Sequence, residues 1–237
     1  YPKNGIYSLV ENMKQLGDAR HVTYKTNSAV AYIITSNGSA VGVRLESGEN
    51  IEADIVISAA DLHHTETALL PPEQQSYPLS YWRKKEPSPS ALLISLGIEG
   101  ELANLQHHNL YFVDAWKENF SAIYEDAAFP TPASIYICKP SGLDPSVAPK
   151  GKENLFVLVP LPPNRMLSDK EQTILVDQYL DQIARDTRIP DLKKRIISQH
   201  VFGANDLASK LHSWQNAALG PSHVLSQSAF FRTPNIS

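Results

Sequence analysis

Asn37-Gly38 stands between two alternating apolar runs, Val30, Tyr32 and Ile34 before it and Val41, Val43 and Leu45 after it. Alternation at period two gives each strand one face to bury, and Asn-Gly supplies the positive φ angles that a two-residue hairpin needs. The pair commits this part of the chain to antiparallel sheet. Ser47-Gly48 makes a second turn, and Ile51 leads into Ala53-Asp54-Ile55-Val56-Ile57-Ser58, a run predicted to be a strand buried on both faces. Upstream, Ile6, Leu9, Val10, Met13 and Leu16 recur at helical spacing with Gly17 as a stop, and Val22 and Tyr24 read as a further strand. Downstream, Asp61 is placed to cap a short helix that ends before Pro71-Pro72.

From Pro71 the texture changes. Prolines become frequent, and strand candidates at Ala91–Leu96, Leu110–Val113, Ser134–Cys138 and Leu155–Val159 are separated by long polar stretches. One clear helix follows: Ser168 with Glu171 forms a capping box, and Ile174, Leu175, Leu180 and Ile183 supply its apolar stripe. Ile196–Phe202 reads as another strand, and Asn205 is placed to cap a short helix reaching His212. The reading is an α/β (α+β) chain in three parts. Residues 1–70 hold the first helix, the meander and the apolar strand; residues 71–212 form a mixed α+β unit; residues 213–237 return toward the first part.

Composition narrows the function classes. A net charge of −4 without a long basic run argues against nucleic-acid binding by phosphate neutralisation. No apolar run approaches the roughly 20 residues that span a bilayer, and the first residues have no signal-peptide pattern. The single cysteine, Cys138, excludes an internal disulfide framework. It lies in the apolar run Ile135-Tyr136-Ile137-Cys138, which favours an inert buried thiol. His63-His64 and His107-His108 lack the i, i+4 spacing of a zinc helix, and the expectation is that no metal is bound. Trp82-Arg83-Lys84-Lys85 reads as a solvated charge run. No Gly-x-Gly and no Gly-x-Ser-x-Gly occurs, so a dinucleotide fingerprint, a P-loop and a nucleophile elbow are all missing from the sequence. Gln227-Ser228-Ala229-Phe230-Phe231-Arg232 suits a ligand wall as well as core packing.

Eight stretches, in order, resemble the bacterial-type phytoene desaturase family of FAD-dependent oxidoreductases. They begin with the loop and helix Tyr1-Pro2-Lys3-Asn4-Gly5-Ile6-Tyr7-Ser8-Leu9-Val10, then Asn27-Ser28-Ala29-Val30-Ala31-Tyr32-Ile33 with its hairpin, and Ala53-Asp54-Ile55-Val56-Ile57-Ser58-Ala59-Ala60-Asp61. His107-His108-Asn109 follows, then Asp144-Pro145-Ser146-Val147-Ala148-Pro149-Lys150-Gly151 and Glu153-Asn154-Leu155-Phe156-Val157-Leu158-Val159-Pro160. The series closes on Ala218-Leu219-Gly220 with Ser222-His223, and on Gln227 to Arg232. Asn4 and Asn216 stand where that family usually has glycine, and Thr233 where it has proline.

The resemblance implies a two-domain amine-oxidase-like flavoprotein of which this chain is an internal piece. The glycine-rich βαβ unit would lie upstream of Tyr1 and a second glycine-rich flavin segment downstream of Ser237, leaving the piece itself inactive. It further implies FAD as cofactor, with the Val30 backbone at the adenine and Ser58, Ala59, Ala60 and Asp61 near the ribose and diphosphate. Asn4, Gly5, Phe230, Phe231 and Arg232 would lie toward flavin and substrate. The substrate would be an apolar polyene precursor such as phytoene, desaturated in carotenoid biosynthesis, and the enzyme would be cytoplasmic and peripherally attached to a membrane. The resemblance assigns no catalytic residue and no oligomeric state. A carotenoid isomerase or retinoid saturase of the same fold is an alternative, as is a non-enzymatic module that binds apolar ligands or a protein.

Overall fold

The computed structural model describes residues 2–234. Tyr1 of the opening loop motif lies outside the described residues. In chain order the elements are α1 (Tyr7–Asp18), β1 (Val30–Ser36), β2 (Ser39–Leu45), β3 (Asn50–Glu52), α2 (Leu62–His64) and α3 (Leu79–Trp82). There follow β4 (Ser90–Glu99), β5 (His108–Tyr111), α4 (Trp116–Tyr124), β6 (Ile135–Cys138), β7 (Lys152–Leu161), α5 (Asp169–Asp186), β8 (Ile196–Phe202) and α6 (Ala204–Leu211). They form two compact units, one of Tyr1–Val22 with Pro89–Asp206 and one of Thr23–Ser88 with Leu207–Ser237.

The first unit is built on an antiparallel sheet of order β5-β6-β7-β4-β8. β4 and β7 pair over ten residues in unbroken register, Ser90 opposite Leu161 through Glu99 opposite Lys152. Alternation decides which face is covered: Leu92, Ile94, Leu96 and Ile98 of β4 and Leu155, Val157, Val159 and Leu161 of β7 are all buried. Leu175, Val176, Tyr179, Leu180 and Ile183 of α5 join them in one core cluster. The capping box at the start of α5 forms as expected, with the Glu171 amide donating to Ser168 Oγ and the Ser168 amide to the Glu171 carboxylate. Two buried polar groups tie α5 to the loop before β6. Tyr179 Oη donates to the Pro130 carbonyl at 2.9 Å, and the Gln182 amide pairs with both backbone groups of Ala133 at 2.9 and 2.7 Å. Beneath the sheet's end, Lys139 donates to the Leu102 carbonyl and pairs with Glu153 at 3.4 Å, while the Leu102 amide returns to Glu153 at 2.9 Å.

The second unit carries the hairpin. β1, β2 and β3 form a three-stranded meander, and its tip is Asn37 at φ 50° with Gly38 at φ 79°. Gly42 is needed for close approach, since a Cβ there would meet the Ile51 carbonyl oxygen at 2.2 Å. The β1–β2 ladder slips between Val30 and Tyr32, so Ala31 faces no partner residue in β2. After Asp61, whose side chain caps α2 through the His64 amide, the helix continues as a π-helical turn over Thr65–Leu69.

Several local expectations are corrected. Ala53–Ser58 is not a strand: no sheet of the described residues includes it, and Ile55 and Ile57 are 76% and 86% exposed. A run of β-branched residues makes a strand only where a neighbour accepts its backbone hydrogen bonds. Val22 and Tyr24 are not a strand either: the Val22 amide turns back to donate to the Gly17 carbonyl at the end of α1. Gly17 does not stop α1, which runs to Asp18, and the apolar stripe of α1 is exposed throughout. The edge strand β5 spans His108–Tyr111 rather than Leu110–Val113. Asn205 lies inside α6 instead of capping it, because its amide is held by both backbone groups of Leu167 at 3.1 and 2.6 Å.

Candidate functional site

In the second unit, the slipped end of β1, the extended segment 56–60 and the helical turn after Asp61 enclose a cavity of about 430 Å³. Val30, Ser58, Ala59 and Ala60, four of the five residues assigned to cofactor binding by resemblance, all line it. Ala29, Ala31 and Ala68 add three more small side chains, and Glu46, whose amide donates to the Ala29 carbonyl, also borders it. The bulge at Ala31 turns strand backbone out of the ladder beside this space. His64 and His212 close one side with rings stacked 4.0 Å apart and 7° from parallel. The His64 imidazole is held below its ordinary pKa by burial first and by His212 second, with Asp61 opposing. His64 therefore presents a neutral, flat ring face to the cavity at pH 7.

Asp61 stands apart from the other four. Its two carboxylate oxygens accept the His64 amide at 3.1 Å and the Trp214 amide at 3.2 Å, so it joins the start of α2 to the 3₁₀ turn at Trp214–Asn216. It lines a second cavity of about 330 Å³, together with Arg232. The floor of that cavity is aromatic. Trp82 lies 5.1 Å from both His63 and Trp214, edge-on to the first and tilted to the second. Gln227 fixes one wall by exchanging hydrogen bonds with both backbone groups of Glu86 and by donating to the Ser222 carbonyl. Thr233, at the proline position of the resemblance, bonds Tyr81 Oη at 2.6 Å.

The remaining assigned residues are elsewhere. Phe230 and Phe231 are 101% and 66% exposed, and neither lines the two cavities. Asn4 and Gly5 belong to the first unit, where the Asn4 amide donates to Asp144 at 2.7 Å. Asn4 and Asn216 adopt φ of 68° and 57°, the left-handed region in which asparagine is the best substitute for glycine. Sequence reasoning missed His64, His212, Glu46 and the Trp82–Trp214 pair. His64 occurs in a pair dismissed on local spacing and Trp82 in a run read as a solvated charge cluster, and nothing local links either to its partner, 148 and 132 positions away.

The lining of the 430 Å³ cavity tests whether FAD suits the site. Pockets of this size hold small molecules, and alanines on several sides leave a flat slot bounded by backbone and a stacked imidazole pair. Those features fit a purine nucleoside, the adenosine end of FAD. The sequence has no Gly-x-Gly loop with which to hold the diphosphate.

Comparison with known proteins identifies the family to which the chain belongs. Residues 1–234 match the family described as flavin containing amine oxidoreductase. The chain is 35% identical over its whole length to a carotenoid 3,4-desaturase of Haloarcula japonica, of which it covers 48%. It is 32% identical over 98% of its length to a phytoene desaturase of Fusarium fujikuroi, covering 44% of that protein. A zeta-carotene-forming phytoene desaturase of Myxococcus xanthus matches 68% of the chain at 35% identity. The chain thus spans about half the length of the curated relatives it matches. Among solved structures, an oxidoreductase from Methanosarcina mazei superposes on 85% of the chain with a TM-score of 0.55 at 15% identity, covering 43% of that structure, which is a likeness of fold.

Proposed function

Because the chain belongs to the flavin containing amine oxidoreductase family, whose cofactor is FAD, we propose that it forms part of an enzyme that desaturates an apolar polyene of the carotenoid pathway. The observation that carries this reading is identity of 35% along the full chain to a carotenoid desaturase. In this proposal the unit containing the meander holds the adenosine end of FAD, and the unit built on the five-stranded sheet faces the polyene.

When bound, FAD supplies a hydride acceptor for the oxidised carbon–carbon bond. This chain's residues bind and exclude water. Backbone at Val30 and Ala31 offers hydrogen-bonding edges to a purine, and Ala59 and Ala60 keep the slot open. Asp61 holds the two segments that border both cavities. Trp82, Trp214 and His63 form a dry aromatic surface, with Arg232 at its rim. Chemistry of this kind needs orientation and a dry site more than a catalytic triad, in keeping with the lack of any such motif. No general base is assigned.

Peripheral membrane attachment on the cytoplasmic side is part of the same reading, since a long isoprenoid resides in the bilayer. No described helix is long and apolar enough to cross a membrane. Support for surface attachment comes from α4, whose Trp116, Phe120 and Tyr124 recur every four residues and are each more than half exposed.

The test is to incubate the full-length protein with FAD and a phytoene-class substrate in lipid vesicles. Products with lengthened conjugation, seen as red-shifted absorption and loss of two hydrogens per step by mass, are expected. Rearranged but equally unsaturated products would replace the proposal by isomerisation, and more saturated ones by a saturase reaction. In parallel, Ala60→Phe, which fills the slot, is expected to weaken FAD binding at least tenfold; unchanged flavin content would move the adenosine site elsewhere.

A further inference from the structure

At the β5–β6 edge of the first unit, sheet pairing sets His108 directly opposite Cys138. Directly opposed residues of an antiparallel pair project to the same face. His107, on the bend just before β5, completes a cluster in which one potential ligand atom from each of the three residues lies within 4.8 Å of the others. From this arrangement we propose a binding site for a borderline-soft divalent ion, Zn²⁺ by preference, with His107, His108 and Cys138 as ligands.

The surroundings are those of a metal site. His107 Nδ1 lies 3.0 Å from the Lys139 carbonyl oxygen, which can only accept, so this nitrogen carries the proton and Nε2 the lone pair. A ligating histidine whose second nitrogen donates to a backbone carbonyl is the usual outer-shell arrangement at zinc. His108 Nδ1 is 2.8 Å from Tyr136 Oη. With Nδ1 donating to that oxygen, its Nε2 carries the lone pair. Tetrahedral coordination at about 2.0 Å from nitrogen and 2.3 Å from sulfur puts donors about 3.3–3.6 Å apart. Rotation of the exposed His108 ring closes that gap. Cys138 is buried and His108 exposed, which leaves the fourth position to water or an external ligand. The donor set, one thiolate and two imidazoles, suits Zn²⁺ and Co²⁺ and disfavours Mg²⁺ and Ca²⁺.

The test uses the full-length protein, stripped with a chelator and titrated with Co²⁺, then with Zn²⁺ in competition. One Co²⁺ per chain is expected, with a thiolate-to-cobalt charge-transfer band that Zn²⁺ abolishes. Cys138→Ala should remove the band, and His108→Gln should weaken binding at least tenfold. Tyr136→Phe, which removes only the hydroxyl that positions His108, should weaken it about tenfold with the band retained. If Cys138→Ala fails to fold, His108→Gln on the surface decides alone. No binding, binding without the thiolate band, or binding that His108→Gln leaves unchanged would each overturn the proposal.

Discussion

At the scale of single residues, Asp61 does the most with the least. One carboxylate satisfies an amide at the start of α2 and another at Trp214, more than 150 positions away. Replacing a capping aspartate with alanine costs about 1–2 kcal/mol, so Asp61→Ala is expected to lower the denaturation midpoint of the protein and to loosen both cavities. Asp61→Asn, which keeps one acceptor oxygen, should lose about half as much. His63 and His64 make stability depend on pH. His63 is pulled below the usual imidazole range by burial, and His64 by burial and then by His212. The unfolded state therefore binds protons at a higher pH than the folded state. Their stabilisation is fully present above about pH 6.5, the unperturbed histidine value, and is lost as pH falls through the folded-state pKa. Denaturant midpoints measured from pH 8 to pH 5 should fall in that window, and His64→Phe should flatten the decline.

At the scale of elements, the sequence is most legible where a local rule and a tertiary contact agree. The capping box of α5 and the Asn37-Gly38 turn are both formed, because each is satisfied by residues within four positions of one another. The run Ala53–Ser58 obeys the same kind of local rule and fails, since a buried strand is defined by neighbours that its own letters do not contain. α4 is the reverse case. No periodicity reading singled it out, yet its exposed ring stripe is ordered, with Phe120 and Tyr124 stacked 5.9 Å apart and Trp116 edge-on to Phe120. If this face docks on lipid, the double change Trp116→Ser with Phe120→Ser should reduce co-sedimentation of the full-length protein with vesicles several-fold. Secondary structure by circular dichroism should be unaltered, both side chains being exposed. Undiminished co-sedimentation would assign attachment to another surface.

At the scale of the whole molecule, two units are each tied by contacts between distant segments. In the first, the Lys139–Glu153 pair and the Leu102 backbone lock the end of β7 to the loop before β5, with both charged side chains largely buried. Removing one partner of a buried pair strands the other's charge, at about 3–5 kcal/mol, so Glu153→Ala is expected to unfold at markedly lower denaturant concentration. Lys139→Met with Glu153→Leu should recover most of that loss, and additive losses would show that the pair is not coupled. The resemblance read from short stretches such as Ser58-Ala59-Ala60-Asp61 identified the family that the comparisons establish, and the sequence by itself determined the hairpin, the cap and stripe of α5 and the mixed α+β class. Those features depend on periodicity, turn chemistry and short-range hydrogen bonds, all written in neighbouring letters. Only the tertiary structure decided that Val30 and Ser58–Ala60 share a cavity while Asp61, beyond the cap read from sequence, also holds the distant Trp214 amide. It alone brought His64 onto His212 and Cys138 beside His107 and His108. The physical reason is the same in each case: a site is made of side chains whose proximity is fixed by strand register and packing between remote segments, and no local pattern encodes that distance.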